Sequence, residues 1–514
     1  MHMELKPVRE NIQLEQPLGT VTALAVVEGE AALPGGLREE TRVLVSDAIA
    51  VVENAEPVTD RVNVSGRVLF RVLYTQGDPE KVNAIEATAD FMHPCSLPGA
   101  QNRVSAAAMA QVQRTEARVV NGRLSMRAEV ALGVRAVSLA PAEAVMAVDG
   151  TDHVQTRTQQ LTVRRTAARG SSDVLLREEL PLPEGLGVRG TLFAGAYPVL
   201  TDTTGGLGRI GLAGQIQLEV VHASDVPGRP VVVTRHSIPF SQSVEISGED
   251  GELLEGRVIV KDVAVASQDD GAGGQILRAE VLLGLQGWAD REETASVLSD
   301  AYTTQGDDLR LSRQVVRYRT GSERFAASES GKAVLLLPDT APPVRKVLAA
   351  FVIPVMTGQG ANGSRTAVEG RLDTTLLYMT DGSAAPVSVR LQEPFRITFP
   401  VQTGADALLT LAVTETEARP VTSDRVELRF ILHLQGDDMS TETVRLVADA
   451  QPVAAAGPTE DVVLCFVQPG ETVWDIARRY RLPEDDVRAL NPDLAEEPAA
   501  GQGVVVWRRS AAGG

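Results

Sequence analysis

The sequence predicts a mainly β protein, in which three tandem β-rich, sandwich-like domains are followed by a small βααβ domain. Three observations lead to this prediction: a threefold internal repeat, period-two hydrophobic patterns within each repeat, and a helix-containing pattern near the C-terminus. At about 150 residues per domain, the 514 residues leave room for three or four such domains.

Four landmarks recur three times in the same order and define the repeat. The anchor is a glycine within an apolar segment, with a Leu-Pro pair 31 or 32 positions before it and a phenylalanine 25 or 26 positions after it. The fourth landmark is an apolar strand near the end of each repeat. The anchors are Gly66, Gly214 and Gly370; the phenylalanines are Phe91, Phe240 and Phe395; the pairs are Leu33-Pro34, Leu182-Pro183 and Leu337-Pro338.

The segments within each repeat alternate between apolar and polar residues. Ile216, Leu218 and Val220 are separated by polar residues, and the segment 426–434 shows the same period. This period predicts half-buried antiparallel strands, which we expect to form two packed sheets in each domain. The pattern leaves open whether each domain is a sandwich or an open barrel. On the same pattern, His433 is predicted to face solvent.

The repeat register predicts domains at residues 1–150, 151–310 and 311–450. The segments between the repeats are rich in polar and small residues, and the first of them is predicted at Pro141 to Thr158. A flexible linker is predicted at residues 451–460, where alanine, glycine and proline are concentrated. The C-terminal domain then covers residues 461–508.

The C-terminal domain has the pattern strand, helix, helix, strand. Thr472 is suited to cap the first helix, because Asp475 three positions later completes a capping box. Apolar residues at positions 473, 476, 477 and 480 form one helical face. A second short helix begins near Pro483 and is predicted to turn Val487 and Leu490 inward, and residues 501–507 are predicted to form the closing strand.

The segment Val467 to Ala477, together with Leu490-Asn491-Pro492 and Gly501-Gln502, resembles a LysM domain. Such domains commonly bind N-acetylglucosamine-containing glycans between two loops. The resemblance implies a partner or glycan site at Gly470, Glu471, Thr472, Val473, Asn491, Pro492, Asp493 and Leu494. A purely structural role is the alternative, in which Thr472 caps one helix and Asn491-Pro492 ends the other. Trp474 is added as an interface candidate, although it could equally lie at the edge of the core.

The repeats resemble SPOCS domains of endospore-forming bacteria. The resemblance rests on Lys6 to Ile12, the Leu-Pro pairs, the glycine-initiated strand that ends at Tyr74 or Tyr378, and the phenylalanine landmark; the second repeat departs from it with His222 in place of tyrosine. Three repeats followed by LysM resemble spore-coat morphogenetic proteins of the SipL type. This implies a scaffold without enzymatic activity, made in the mother cell and located at the forespore surface. The implied partner is the ATPase of the coat's basement layer, a SpoIVA-like protein, and the LysM domain is implicated in that contact.

Two strings match the glycine pattern of dinucleotide-binding loops, at residues 206–211 and 358–363. Such a site needs a helix N-terminus after the turn to hold the pyrophosphate. Both strings instead run into the predicted strands at Gly214 and Gly370. We therefore predict hairpin loops of variable length at both places.

No sequence pattern singles out a catalytic or metal-binding site. The sequence has no phosphate-binding P-loop, no Gly-x-Ser-x-Gly, no Cys-x-x-Cys and no pair of histidines at helical zinc spacing. His93 and Cys95 are close in sequence, but two ligands without a third are better explained by chance. We expect no catalytic residue, no metal and no cofactor.

Composition narrows the possible functions further. The net charge of −19 argues against nucleic acid as a partner. No apolar stretch approaches the length of a transmembrane helix, and residues 1–7 lack the apolar segment expected of a secretory signal. Cys95 and Cys465 are far apart in sequence, so a reduced, cytosolic chain is the simplest account, with Cys465 buried in the first LysM strand. The alternative to a scaffold is a protein whose LysM domain binds peptidoglycan.

Overall fold

A computed structural model describes residues 6–34, 41–101, 104–149, 153–206, 208–269, 274–454 and 462–507. Within these residues the chain forms 21 strands and two helices, and the paired strands are antiparallel. The predicted mainly β fold is confirmed. Residues 455–460 of the predicted linker lie outside the described part, whereas residues 451–453 continue the preceding strand.

Each repeat consists of two three-stranded core sheets. The first repeat has the sheets β1-β6-β5 and β2-β3-β4. Its strands are β1 (Lys6–Ala32), β2 (Arg42–Val58), β3 (Arg61–Gln76), β4 (Asp78–Ser96), β5 (Val104–Val120) and β6 (Arg123–Asp149).

The second repeat follows the same order, with a two-residue strand added to one sheet edge. Its strands are β7 (Val154–Pro181), β8 (Val188–Gly206), β9 (Arg209–Ser224), β10 (Val231–Glu245), β11 (Ser247–Gly248), β12 (Leu253–Asp269) and β13 (Gln275–Thr303). They form the sheets β11-β7-β13-β12 and β10-β9-β8.

The third repeat has the sheets β14-β19-β18 and β15-β16-β17. Its strands are β14 (Asp308–Leu336), β15 (Lys346–Asn362), β16 (Arg365–Met379), β17 (Val387–Phe399), β18 (Leu408–Pro420) and β19 (Arg425–Val453). The C-terminal domain consists of β20 (Val462–Phe466), α1 (Val473–Tyr480), α2 (Glu484–Leu490) and β21 (Gly503–Trp507).

In each repeat the two sheets pack face to face over one apolar core. The edge strands of the two sheets also approach each other. In the first repeat, β2 lies next to β5 and β1 lies next to β4. Each repeat is therefore a sandwich whose sheets come together at both edges. The two glycine strings predicted as hairpins fall where β8 is followed by its partner β9 and β15 by its partner β16, which confirms both hairpins. Residue 207 of the first string lies outside the described residues.

The glycine and phenylalanine landmarks form one structural unit. Gly66 on β3 and Phe91 on β4 are register partners, and a Cβ on Gly66 would lie 2.2 Å from the carbonyl oxygen of Val51 and 3.0 Å from the Phe91 ring. Gly214 and Gly370 show the same approach to Phe240 and Phe395. Glycine is required because the aromatic ring lies across the strand where a side chain would stand.

Two sequence predictions are wrong in the repeats. Residues 141–149 and 154–158 are not a linker but belong to β6 and β7, and Ala142 and Ala144 are buried in a core shared between repeats. His433 is 1% exposed because β19 is covered on both faces. The Tyr197 ring of the second repeat lies edge-on to the His433 ring at 4.6 Å, and the Ser328 hydroxyl lies 2.7 Å from His433 Nδ1.

The three repeats form a ring in which each repeat contacts both others. Three apolar clusters draw residues from all three repeats. At each junction an arginine of one repeat donates to a backbone carbonyl of the next: Arg71 to Ala194, Arg235 to Thr416, and Arg390 to Thr115. Thr115 and Thr416 occupy the same place in β5 and β18, so part of this junction repeats around the ring.

A chain of buried and partly buried ion pairs, called the central network here, also joins the repeats. Four arginines alternate with four carboxylates, so that each charge has an opposite neighbour. In order they are Arg135, Asp437, Arg324, Glu255, Arg164, Asp290, Arg319 and Glu15. The network includes residues of all three repeats and is neutral as a whole.

Candidate functional site

The first helix of the C-terminal domain starts at the predicted cap. The Thr472 hydroxyl accepts from the Asp475 backbone N–H at 3.3 Å, and the Asp475 carboxylate accepts from the Thr472 backbone N–H at 2.9 Å. This reciprocal pair is the predicted capping box. Val473, directly after the cap, is buried in the domain core. Thr472 therefore has a structural role whether or not it also contacts a ligand.

The loop before this helix is held by its own side chains. Gly470 adopts a φ of 76°, which favours glycine, and has open space where a Cβ would stand. The Glu471 carboxylate accepts from the Gln468 backbone N–H at 2.9 Å and also pairs with Arg479. The loop thus presents mainly backbone at Gly470, while the charge of Glu471 is neutralised from within the domain.

Asn491 in the second predicted loop ties three parts of the domain together. Its amide nitrogen donates to the carbonyls of Val487 and Val505, each at 2.8 Å, and its amide oxygen accepts from the Val505 N–H at 2.9 Å. The side chain links the end of α2 to β21. Its donors and acceptor are therefore used within the fold.

The rest of the second loop turns away from α2 into solvent. Pro492 and Asp493 are exposed, and Leu494 packs partly against the core that also holds Val473. The two predicted loops are thus anchored on one core. The prediction that Leu490 faces inward is wrong, since Leu490 is 39% exposed, whereas Val487 is fully buried as predicted. Leu490 is the last residue of α2, beyond the part of the helix that packs on this core.

Trp474 is not an exposed anchor but lies between the C-terminal domain and the second repeat. It is 6% exposed, its ring lies edge-on to Tyr302 at 4.9 Å, and its Nε1 donates to the Asp300 carboxylate at 2.8 Å. Arg478 donates to the same oxygen at 2.8 Å. Both aromatic rings belong to a core that spans the two domains.

A second anchor of this contact, Arg481, follows α1. It adopts a left-handed φ of 54°, and its guanidinium donates to the Thr303 carbonyl at 2.8 Å, the Thr303 hydroxyl at 2.6 Å and the Gly306 carbonyl at 2.8 Å. The Tyr302 hydroxyl donates in turn to the Leu482 carbonyl at 2.7 Å. Burial raises the pKa of Tyr302, so this hydroxyl stays protonated. The C-terminal domain is thereby held on one end of β13.

The outer face of the β20–β21 sheet is apolar and exposed. Leu464 and Phe466 are 59% and 61% exposed, and Val505 and Trp507 are 39% and 45% exposed. Leu464 and Val505 are register partners, and the buried Cys465 and Val504 lie on the opposite face. The predicted burial of Cys465 is confirmed. This face was not predicted from the sequence. The pattern that could have indicated it is that β20 and β21 are apolar at nearly every position rather than at alternate ones.

Among the residues that the structure describes, no group of three or more His, Cys, Asp or Glu side chains could hold a metal ion. None of the described helices is both long and apolar enough to span a membrane.

Two protein-family models match the chain. Residues 41–130, which run from the strand before Gly66 to the middle of β6, match the family described as SipL, SPOCS domain. Residues 467–506 match the LysM domain. Searches of curated proteins and of solved structures gave no match.

The fold and these matches define a protein of repeated β domains with a C-terminal LysM domain, two domain types that bind rather than catalyse. The SPOCS match at residues 41–130 and the LysM match at residues 467–506 agree with the predicted resemblance to SipL-type proteins that carry a LysM domain. The chain is accordingly related to sporulation and carries a module of the peptidoglycan-binding type.

Proposed function

We propose that the chain is a non-enzymatic scaffold of endospore coat assembly, which works in the mother-cell cytoplasm at the forespore surface. In this role it links the ATPase of the coat's basement layer, a SpoIVA-like protein, to that surface through protein contacts. The resemblance to SipL-type proteins supplies the partner. The observation that carries the proposal is the exposed apolar face of the LysM sheet.

This face fits a protein partner better than a sugar. Leu464 and Phe466 expose large apolar side chains side by side with Val505 and Trp507, and contiguous exposed apolar surface marks protein interaction sites. The polar side chains of Thr472 and Asn491 are meanwhile engaged within the domain. A partner that buries the apolar face gains the hydrophobic free energy that a polar sugar surface does not provide.

The contact with the second repeat supports the same role. Trp474, Arg478 and Arg481 hold the domain against β13, so that a partner bound to the LysM sheet is also held near the ring. A scaffold needs such a fixed relation between its docking surface and its body. That the nine predicted site residues contact a ligand stays a prediction. Trp474, one of the nine, already makes a contact within the protein.

Affinity capture with the full-length chain tests the proposal. Leu464→Ser and Phe466→Ser should each reduce recovery of the purified coat ATPase at least about tenfold, because an anchor in an interface core contributes about 2 kcal/mol or more. Met92→Ser is the matched control, since Met92 is 73% exposed on β4 of the first repeat. Equal recovery with all three variants would refute docking through this face.

Glycan binding is the second candidate, and the LysM match is the observation that favours it. Gly470, Pro492 and Asp493 are the exposed tips of the two loops. If the domain binds sugar, calorimetry with N-acetylglucosamine oligomers should give heat that Asp493→Ala reduces. Asp493 is a better probe than Asn491, whose loss would also loosen β21. No heat at millimolar oligomer would remove this candidate.

A further inference from the structure

The centre of the ring contains a cavity of about 1330 Å³. The two inner edge strands of every repeat contribute to its wall: β2 and β5, β8 and β12, β15 and β18. Sites for small ligands have volumes of about 300–1,000 Å³. The cavity is therefore large enough for a small organic molecule together with water.

Arg257 on β12 lines this cavity, and in the described ranges its guanidinium makes no hydrogen bond or ion pair. Its partner on the neighbouring strand is Gln286. The equivalent position is Ala107 in the first repeat, opposite Arg135. In the third repeat it is Leu408, opposite Asp437. The repeat architecture therefore does not require a charge here. Arg257 is a feature of the second repeat alone.

The positive charge of Arg257 is not balanced by the central network beside it. Asp437 is the main carboxylate that acts on Arg257, but it already pairs with Arg135 at 3.0 Å and with Arg324 at 3.5 Å. The network of four arginines and four carboxylates is neutral before Arg257 is added. Burial lowers the pKa of Arg257, yet a guanidinium stays charged in proteins. A counter-charge in the cavity would offset the cost of holding this half-buried cation away from bulk water.

We propose that the central cavity binds a small organic carboxylate, with the carboxylate group paired to Arg257. The planar guanidinium matches a carboxylate with two parallel hydrogen bonds. One negative charge matches the single positive charge that Arg257 adds beside the network, whereas a phosphate monoester, at about −1.5 to −2, would leave negative charge beside Asp437. This site is separate from the LysM domain and does not depend on the scaffold role.

Tyr197 supplies a second polar group to the same wall. It lines the cavity, and burial raises the pKa of its hydroxyl while Arg257 partly opposes that effect. The hydroxyl therefore remains protonated at neutral pH and is available as a donor. The wall also contains Trp288, whose ring lies 3.9 Å from the Arg324 guanidinium, so the apolar part of a ligand finds aromatic as well as aliphatic surface.

Calorimetry on the full-length protein tests the site, with sodium benzoate as the probe at constant ionic strength. Benzyl alcohol is the uncharged analogue, and inorganic phosphate tests the alternative anion. Arg257→Leu, which places the residue of the third repeat at this position, should weaken benzoate binding at least about tenfold, the loss expected for a charge-assisted pair. Arg278→Leu is the control, since Arg278 is a surface residue of the same repeat with a 58% exposed side chain.

Thermal unfolding gives an independent readout. Benzoate should raise the thermal unfolding midpoint of the unchanged protein and of Arg278→Leu, but not that of Arg257→Leu. If the leucine variant does not fold, Arg257→Gln replaces it in the same comparison. Three results would overturn the proposal: no benzoate binding at millimolar concentration, equal binding by the Arg257 variants, or tighter binding of phosphate or benzyl alcohol than of benzoate.

Discussion

The ring and the LysM domain are held by two different kinds of contact. Between the repeats, apolar clusters and the central network bring residues of all three repeats together in the interior. Between LysM and the second repeat, a shared aromatic pair and a few hydrogen bonds involve one end of β13. Each repeat therefore depends on two neighbours, whereas LysM depends on one.

This difference separates two levels of stability. Damage to the centre of the ring affects every repeat, because charges and side chains of all three share one interior. Damage at the LysM contact is confined to that contact, since the domain has its own core with Ile476, Ala477 and Val487 fully buried. We therefore expect the ring to unfold cooperatively and LysM to detach locally. The following predictions test this comparison.

The largest effect is expected for Asp290→Ala. Asp290 is 1% exposed and binds both Arg319 and Arg164, the latter at 3.3 Å. Its loss leaves two buried guanidinium groups without this partner, which should lower the free energy of unfolding by about 3–5 kcal/mol. Urea unfolding followed by circular dichroism measures this change.

Asp173→Ala is the matched control for the network. Asp173 is a half-exposed carboxylate whose partner is Lys261 at 2.7 Å, and a surface pair of this kind contributes at most about 1 kcal/mol. If both aspartate variants lose equally little stability, the central network does not hold the ring together.

Acid should weaken the ring through two buried histidines. Burial lowers the pKa of His222 and of His433 from 6.5 to about 4, with His236 adding a smaller effect on His222. In the folded state both remain neutral where the unfolded chain binds protons, so stability is full above pH 6.5 and falls as the pH drops toward 4. Each histidine should account for a loss on the order of 3 kcal/mol at pH 4.

The LysM domain contains no histidine, so lowering the pH from 6.5 to 4.5 should reduce the amide-exchange protection factors in the strands of the ring before it reduces those in α1. His222→Tyr, which installs the residue found at the equivalent Tyr74 and Tyr378, should flatten the acid slope of unfolding. An unchanged slope would mean that His222 is protonated inside the fold without cost.

A moderate effect within one repeat is expected for Gly214→Ala. The new methyl group would lie 2.1 Å from the Val199 carbonyl oxygen and 3.0 Å from the Phe240 ring, so strand or ring must move at a cost of about 1–3 kcal/mol. Gly358→Ala is the control, because nothing lies within 4 Å of a Cβ there. Comparable thermal midpoints for the two variants would show that the glycine landmark is not set by this close approach.

The smallest effect is expected at the LysM contact. Tyr302→Phe removes the hydroxyl that donates to the Leu482 carbonyl at 2.7 Å and should cost about 1 kcal/mol. Hydrogen exchange should accelerate in α1 and leave the amides of β6 and β19 unchanged. Faster exchange throughout the ring would show that LysM supports the repeats as well, contrary to the comparison drawn above.

The sequence predicted those features that local chemistry determines. The glycine and phenylalanine landmarks recur because each repeat needs the same close approach of ring and backbone, as at Gly66 and Phe91. The cap at Thr472 follows from four neighbouring residues. The three-repeat pattern and the βααβ module were predictable for this reason.

The remaining features depend on residues far apart in the chain. Arg135 and Asp437 are 302 positions apart, and no local pattern pairs them. His433 was misjudged because period-two alternation assumes one solvent-facing side, whereas the neighbouring repeat covers β19 there. Residues 141–149 were misjudged because their alanines pack between repeats, where small side chains allow strands to come close. The predicted domain boundaries and LysM ligand contacts stay predictions.

The closure of the ring bears on the role of the covalent chain. The third repeat touches the first although no peptide segment leads directly from one to the other, and Arg390 contacts Thr115 there in the manner in which Arg235 contacts Thr416 between consecutive repeats. The contact surfaces of the repeats, rather than their order along the chain, thus determine which repeats are neighbours in the ring. A circularly permuted chain, cut between the first two repeats, would therefore retain all three junctions. A separate polypeptide that carries one repeat would likewise complete a ring from which that repeat is missing.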